Sequence, residues 1–132
     1  MPTSADTVTI AGYSHVNLMV DDLDAAMDFY CNRLGFAVLP RPDFGPGAWL
    51  GKGSAQVHLG VVDEMAPRVG FPHVAFHIPT AAFAATVAAL EEQDVAFVMG
   101  PSSREDFGVP VQTAFIQDPA GNIIELTDVD PG

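Results

Sequence analysis

Four histidines and one glutamate, His15, His58, His73, His77 and Glu125, are the side chains here best suited to chemistry. Each lies in a stretch where apolar residues alternate with others, the pattern of a half-buried β-strand whose successive side chains point to opposite faces. In HVNLMV, Val16, Leu18 and Val20 form the apolar face and leave His15, Asn17 and Met19 opposite. In QVHLGVV, Val57, Leu59 and Val61 leave Gln56, His58 and Gly60 opposite. In HVAFHI, Val74, Phe76 and Ile78 oppose His73, Ala75 and His77, and in NIIELT, Ile124 and Leu126 oppose Ile123, Glu125 and Thr127. All five polar groups therefore sit on the face away from the apolar stripe. Imidazole nitrogen and carboxylate oxygen are suitable ligands for Fe, Mn, Ni, Co or Zn as divalent ions. A set of His15, His58, His73 and Glu125 would leave part of a coordination shell open, as a catalytic rather than a structural site requires. His77 reads as a contact to a ligand residue or to substrate.

The elements that must position these groups repeat. Residues 14–20, SHVNLMV, match residues 72–78, PHVAFHI, 58 positions later. A helical stripe follows each: Leu23, Ala26, Met27, Tyr30 and Leu34 after an Asp cap at 21 or 22, and Phe83, Val87 and Leu90 after Thr80 as cap. Gly35 ends the first helix. Extended segments come next, GFAVL at 35–39 and VAFVM at 95–99, and each half closes with a hairpin, 48–62 through GKGS and 112–127 through DPAGN. The order is β-α-β-β-β twice, with module one at about 10–64, module two at about 70–128, and MAPRVG (65–70) between them. Because His15 corresponds to His73 and His58 to Glu125, the candidate ligands occupy equivalent places in the two modules. Two Pro- and Gly-rich loops, 40–47 and 100–110, also fall in equivalent places and suit the rim of a site.

Composition bounds the class. A chain of 132 residues with 48% hydrophobic content suits one domain spanning 1–132. The net charge of −12, with five Lys and Arg in all, disfavours nucleic acid and anionic membrane surfaces as partners. No apolar run is long enough for a membrane span, and the MPTSADTVTI start lacks the features of a signal peptide, so a cytoplasmic location is the expectation. The single cysteine, Cys31, excludes an internal disulfide and reads as a small hydrophobe within the first helix.

The stretches HVNLMVDDLDAAMDFYCNRLGF (15–36), AWLGKGSAQVHLGVV (48–62), PHVAFHI (72–78) and DPAGNIIEL (118–126) resemble the vicinal oxygen chelate superfamily, which includes glyoxalases, bleomycin- and fosfomycin-resistance proteins, extradiol dioxygenases and methylmalonyl-CoA epimerase. The resemblance covers nearly the whole chain. It implies an α+β fold in which tandem βαβββ modules form a cup-shaped, partly open mixed β-barrel around one divalent metal ion (Zn, Ni, Co, Mn or Fe). It also implies a homodimer. The superfamily's ligands come from the first and last strands of each module, which match His15, His58, His73 and Glu125 here. At residue 58 the glyoxalase branch usually carries a carboxylate and the epimerase branch a glutamine, so this chain follows neither.

The leading expectation is a metal-dependent, glyoxalase-like lyase or isomerase that moves a proton on a small oxygen-rich substrate, with Glu125 as acid and base. Trp49, Phe44, Met99 and Phe107 would form apolar walls, His77 would contact substrate, and Arg41 or Arg104 would meet an anionic group. A drug-sequestering binding protein of the bleomycin-resistance type is the alternative from another class, and an Fe(II) extradiol-type dioxygenase is the alternative chemistry. Fosfomycin-type transfer fits poorly with so few cationic residues.

Overall fold

The alternating stretches form strands with their apolar faces inward. A computed structural model, which describes residues 4–105 and 108–130, carries two equivalent units. The first consists of β1 (Val16–Val20), α1 (Leu23–Met27), β2 (Ala37–Leu39), β3 (Gly47–Lys52) and β4 (Ala55–Val61). The second consists of β5 (His73–His77), α2 (Thr80–Glu92), β6 (Phe97–Arg104), β7 (Val111–Gln117) and β8 (Ile123–Thr127).

Each unit makes one four-stranded mixed sheet, in the orders β1-β4-β3-β2 and β5-β8-β7-β6. The β1–β4 and β5–β8 pairs are parallel, and the remaining pairs are antiparallel. The α+β fold and the tandem βαβββ order match the expectation, but the barrel does not. β1 and β5 are edge strands of separate sheets, so the sheets do not close on one another. The reason lies in the packing: Val57 and Leu59 of one sheet, Ile116 and Ile124 of the other, and Phe29, Phe83 and Val87 of the helical segments belong to one continuous core. Both apolar faces are spent on that shared interior, and the opposite faces point away from it.

Local chemistry explains the helices. Asp22 caps α1, its carboxylate accepting from the Ala25 N–H at 3.1 Å. After Met27 the helix widens into a π-helical turn at Asp28–Arg33, with Leu34 N–H donating to the Phe29 carbonyl at 3.0 Å. Regular α-helical spacing does not anticipate this turn, in which the adjacent Phe29 and Tyr30 are both buried. Gly35, at φ +82°, supplies the left-handed residue that ends the segment. In the second unit Phe83, Val87 and Leu90 are buried as the stripe predicted. Thr80 is not the cap, however. It is the first helical residue after Pro79, and its hydroxyl donates to Asp128 Oδ2 at 3.0 Å. The second Pro- and Gly-rich segment is also more ordered than a loop, because β6 runs on to Arg104.

The units are clasped at their helical side. Tyr30 O–H donates to Asp118 Oδ2 at 2.7 Å across 88 positions of sequence, with both residues buried. Burial, with the Asp118 charge second, raises the Tyr30 phenol far above its usual pKa, so it stays a donor. Arg33 Nη1 donates to the Gln93 carbonyl at 2.7 Å, and Gln93 Nε2 returns a bond to the Arg33 carbonyl at 3.1 Å. Cys31 is half-buried in the same segment, and burial raises its thiol pKa. Among the described residues no helix is long and apolar enough to cross a membrane.

Tyr30→Phe removes a hydrogen bond to a buried carboxylate while keeping the ring. It should lower unfolding stability by about 1.5–3 kcal/mol, read as a lower urea midpoint at unchanged m. An unchanged midpoint would show that the clasp contributes nothing net.

Candidate metal centre

The first half of the candidate site lies on the outer face of the first sheet. Pairing aligns Leu39, Trp49, His58 and Asn17 in one row across β2, β3, β4 and β1. His15 precedes Asn17 by two residues and so shares its face. Their rings form a continuous stack: Trp49 on His58 at 4.4 Å and 11°, and His58 on His15 at 3.8 Å and 13°. The His58 imidazole is thus held by two planes. Its Nε2 lies 3.3 Å from Gln56 Oε1, and His15 Nδ1 lies 3.1 Å from Ser14 Oγ. Burial lowers the His58 pKa, with the His15 and Arg41 charges adding to the effect. The neutral, lone-pair-bearing form is therefore favoured.

The second half occupies the same place on the second sheet. Met99, Phe115, Glu125 and Ala75 form its row, so Glu125 takes the position of His58 and Phe115 that of Trp49. His73 Nε2 stands 3.4 Å from Glu125 Oε1. Its Nδ1 lies 2.9 Å from the Phe71 carbonyl, which can only accept, so Nδ1 carries a hydrogen and Nε2 is the nitrogen that faces Glu125. Phe71 and Phe115 flank the His73 ring at 5.1 and 5.6 Å. Glu125 is steered in turn, because Thr113 Oγ1 donates to Oε2 at 2.8 Å and leaves Oε1 as the oxygen facing His73.

Four candidate ligands thus become two pairs, His15 with His58 and His73 with Glu125. Within one chain, no three His, Cys, Asp or Glu side chains among the described residues are placed to hold a metal ion. An open groove of about 820 Å³ between the β1 and β5 edges is lined by His15, His73 and His77, but not by His58 or Glu125. The second pair offers one nitrogen and one oxygen donor and the first pair two nitrogens, donor types that divalent ions take, so each pair would supply half of a coordination shell.

The remaining candidates divide by location. Phe44 lies 6.4 Å from Trp49, and the Arg41 guanidinium lies 5.5 Å over the Phe44 ring, so these residues join the first pair. Met99 is exposed in the row of Glu125, and His77 is exposed on the face of His73. Arg104 ends β6. Phe107 lies outside the described residues. Sequence reading passed over Phe71, Phe115, Thr113 and Gln56. The signal for Phe115 and Thr113 was available in the hairpin: pairing back from the DPAGN turn sets Phe115 opposite Glu125, with Thr113 two residues along on the same face.

Comparison with known proteins agrees with this architecture. A profile of the Glyoxalase/Bleomycin resistance protein/Dioxygenase superfamily matches residues 12–126. Glyoxylase I 4 of Arabidopsis thaliana is 27% identical over 130 residues, spanning 92% of this chain and 72% of the plant protein. Glyoxalase domain-containing protein RDO1 of Mycosarcoma maydis is 28% identical over 127 residues, spanning 91% of this chain and 69% of its own. The crystal structure of a putative glyoxalase family protein from Bacillus anthracis superposes with a TM-score of 0.75 at 25% identity, covering 91% of this chain and 96% of that one.

The lowered His58 pKa has a definite sign. The unfolded chain takes up the proton first as pH falls through the ordinary value of 6.5. The contribution to stability is therefore full above that pH and is lost as pH falls through the lower folded value. Arg41→Gln removes one neighbouring positive charge, so the His58 ring-proton titration, followed by NMR, should move up toward 6.5. An unmoved midpoint would mean that the Arg41 charge does not reach the imidazole.

Proposed function

Because the chain belongs to the Glyoxalase/Bleomycin resistance protein/Dioxygenase superfamily, we propose that it is a metal-dependent enzyme of glyoxalase-like chemistry, moving a proton on a small oxygen-rich substrate as a lyase or isomerase. The single observation that carries the reading is the matched placement of the two donor pairs. His15 and His58 occupy the same backbone positions in one sheet as His73 and Glu125 do in the other.

Completing the donor set takes a second copy of the chain. In this reading a homodimer sets the first sheet of one protomer against the second sheet of its partner. His15 and His58 of one copy then meet His73 and Glu125 of the other. The edge strands β1 and β5, whose outer sides are unpaired within one chain, support such an arrangement.

A divalent ion bound there supplies Lewis acidity, which lowers the cost of removing a proton next to a carbonyl. The residues of the chain do the rest. Glu125 acts as acid and base through Oε1, since Oε2 is engaged by the Thr113 hydroxyl. His73 is fixed in one tautomer by the Phe71 carbonyl and cannot compete for the substrate proton through Nδ1. Trp49 and Phe44 on one side and Phe115 and Met99 on the other would exclude water from the reacting atoms once the dimer covers the exposed Phe44 and Met99.

Metal content tests the site. The purified protein should carry about one divalent transition metal per chain, and His73→Ala, Glu125→Ala and His15→Ala should each lose most of it. After subunit exchange, mixed His15→Ala and Glu125→Ala chains should regain one intact site per hybrid dimer. Full retention in the single variants would overturn the ligand set, and metal-free hybrids would overturn its sharing between copies.

The reaction class has a separate test. Four protein ligands leave less room for substrate and O₂ together than a three-ligand facial triad does. Turnover of an identified substrate should therefore run at the same rate under argon as in air, with Zn, Ni or Mn as well as Fe. Stoichiometric oxygen uptake confined to the Fe form would assign the chain to dioxygenase chemistry instead.

A further inference from the structure

We infer that Arg41 is the anion-recognition residue of the same site, and that the substrate is a small carboxylic acid lying along Trp49 with its carboxylate on the Arg41 guanidinium. The neighbouring oxygen-binding group rests on the metal-centre reading above; the contact at Arg41 does not.

The chain has 17 Asp and Glu against five Lys and Arg, so an arginine here would readily find a carboxylate. Among the described residues the close contacts between basic and acidic side chains are Arg33–Asp28 and His73–Glu125, and Arg41 is in neither. Its protein hydrogen bond runs from Nη1 to the Gly45 carbonyl at 2.9 Å, and Nε is buried with no acceptor. Asp24 borders a cleft shared with Arg41 and Trp49 but stands outside ion-pair distance. A guanidinium kept from carboxylates in so acidic a chain has its charge available for a ligand.

Placement says which ligand. Arg41 Nη2 lies 2.7 Å from where a Gly47 side chain would begin, so the guanidinium lies flat on the bare backbone of β3. Gly47 pairs with Gly60, and Met19 covers Gly60 in the same way, its sulfur 3.0 Å from where that side chain would begin. Gly47 and Gly60 precede and follow Trp49 and His58 by two residues, on the same sheet face. The guanidinium therefore sits one row, about 7 Å along the strand, from His58. A ligand bridging the two carries its carboxylate about 7 Å from the oxygen it offers beside His58. Phe44, between the guanidinium and Trp49, adds an apolar side that favours a planar or unsaturated body.

The test uses metal-free protein, so its outcome is independent of the metal reading. Trp49 is the sole tryptophan and reports directly on this surface. Titration with benzoate should change Trp49 fluorescence saturably in the millimolar range, and the neutral isostere benzamide should bind at least tenfold more weakly. Arg41→Gln should weaken benzoate binding about tenfold or more and leave benzamide unchanged, with Arg41→Lys falling between. Near-ultraviolet circular dichroism that matches the parent chain confirms that the variants are folded. Equal binding of benzoate and benzamide, equal affinity in Arg41→Gln, or no saturable response to benzoate below about 50 mM overturns the assignment. Benzoate binding in a protein that holds no metal when loaded would keep this proposal and defeat the metal centre instead.

Discussion

The bond between Tyr30 and Asp118 fixes the geometry on which everything else depends. Asp118 does more than accept the phenol: its Oδ1 takes the N–H groups of Ala120 and Asn122, and its Oδ2 also takes Asn122 Nδ2. The DPAGN turn is therefore organised around the same buried carboxylate that holds the first helical segment. Asn122 Nδ2 also donates to the Met19 carbonyl at 2.9 Å, which ties the turn to β1. A buried carboxylate is tolerated only when its oxygens are this fully engaged. Loss of one partner therefore loosens the turn and the inter-unit contact together. The clasp commits both apolar sheet faces to one interior, and that commitment turns His15, His58, His73 and Glu125 outward in two separate places.

The two outward faces share a plan and differ in chemistry. In each, an aromatic residue on the third strand stands opposite the donor on the fourth: Trp49 with His58, Phe115 with Glu125. On the first face the aromatic stacks flat on the imidazole and fixes its plane. On the second, Phe115 lies at 71° to the His73 ring, and the carboxylate is steered by the Thr113 hydroxyl instead. A planar ring is oriented well by another plane, whereas a carboxylate needs a directional donor. The supporting residues thus differ between the two faces as the donors they support do.

Most of the fold was legible in the sequence because period-two alternation and the 58-residue offset are both local signals. They gave the strand faces of His15, His58, His73 and Glu125 and the βαβββ order. What they could not give was which sheet faces meet. That depends on Tyr30 reaching Asp118, a pairing of residues 88 apart that no periodicity marks. The same limit explains the barrel, which follows from module order only if β1 and β5 lie side by side. Thr80 misled for a different reason. A Thr before an apolar stripe is a good cap by residue type, but its hydroxyl is taken by Asp128, whose carboxylate also accepts from the Gln112 backbone N–H and is held below the usual carboxylate range chiefly by that bond.

Charge links the candidate ligands to Arg41. Three neutral imidazoles and one carboxylate would supply a single negative charge to a divalent ion, leaving one positive charge on the assembled site. A glyoxalase-like set with a carboxylate at residue 58 would cancel that charge. On the proposed reading, His58 in place of a carboxylate would make the site more receptive to an anionic substrate, and Arg41, one row away and outside any ion pair, would act in the same direction. The lowered His58 pKa fits the same balance: burial chiefly, with the His15 and Arg41 charges adding to it, keeps the imidazole from taking up a proton. In a chain of net charge −12, surface repulsion works against anions approaching from solution. A locally positive pocket would then select for anions small enough to enter it, which sets size as well as charge as a condition on the substrate.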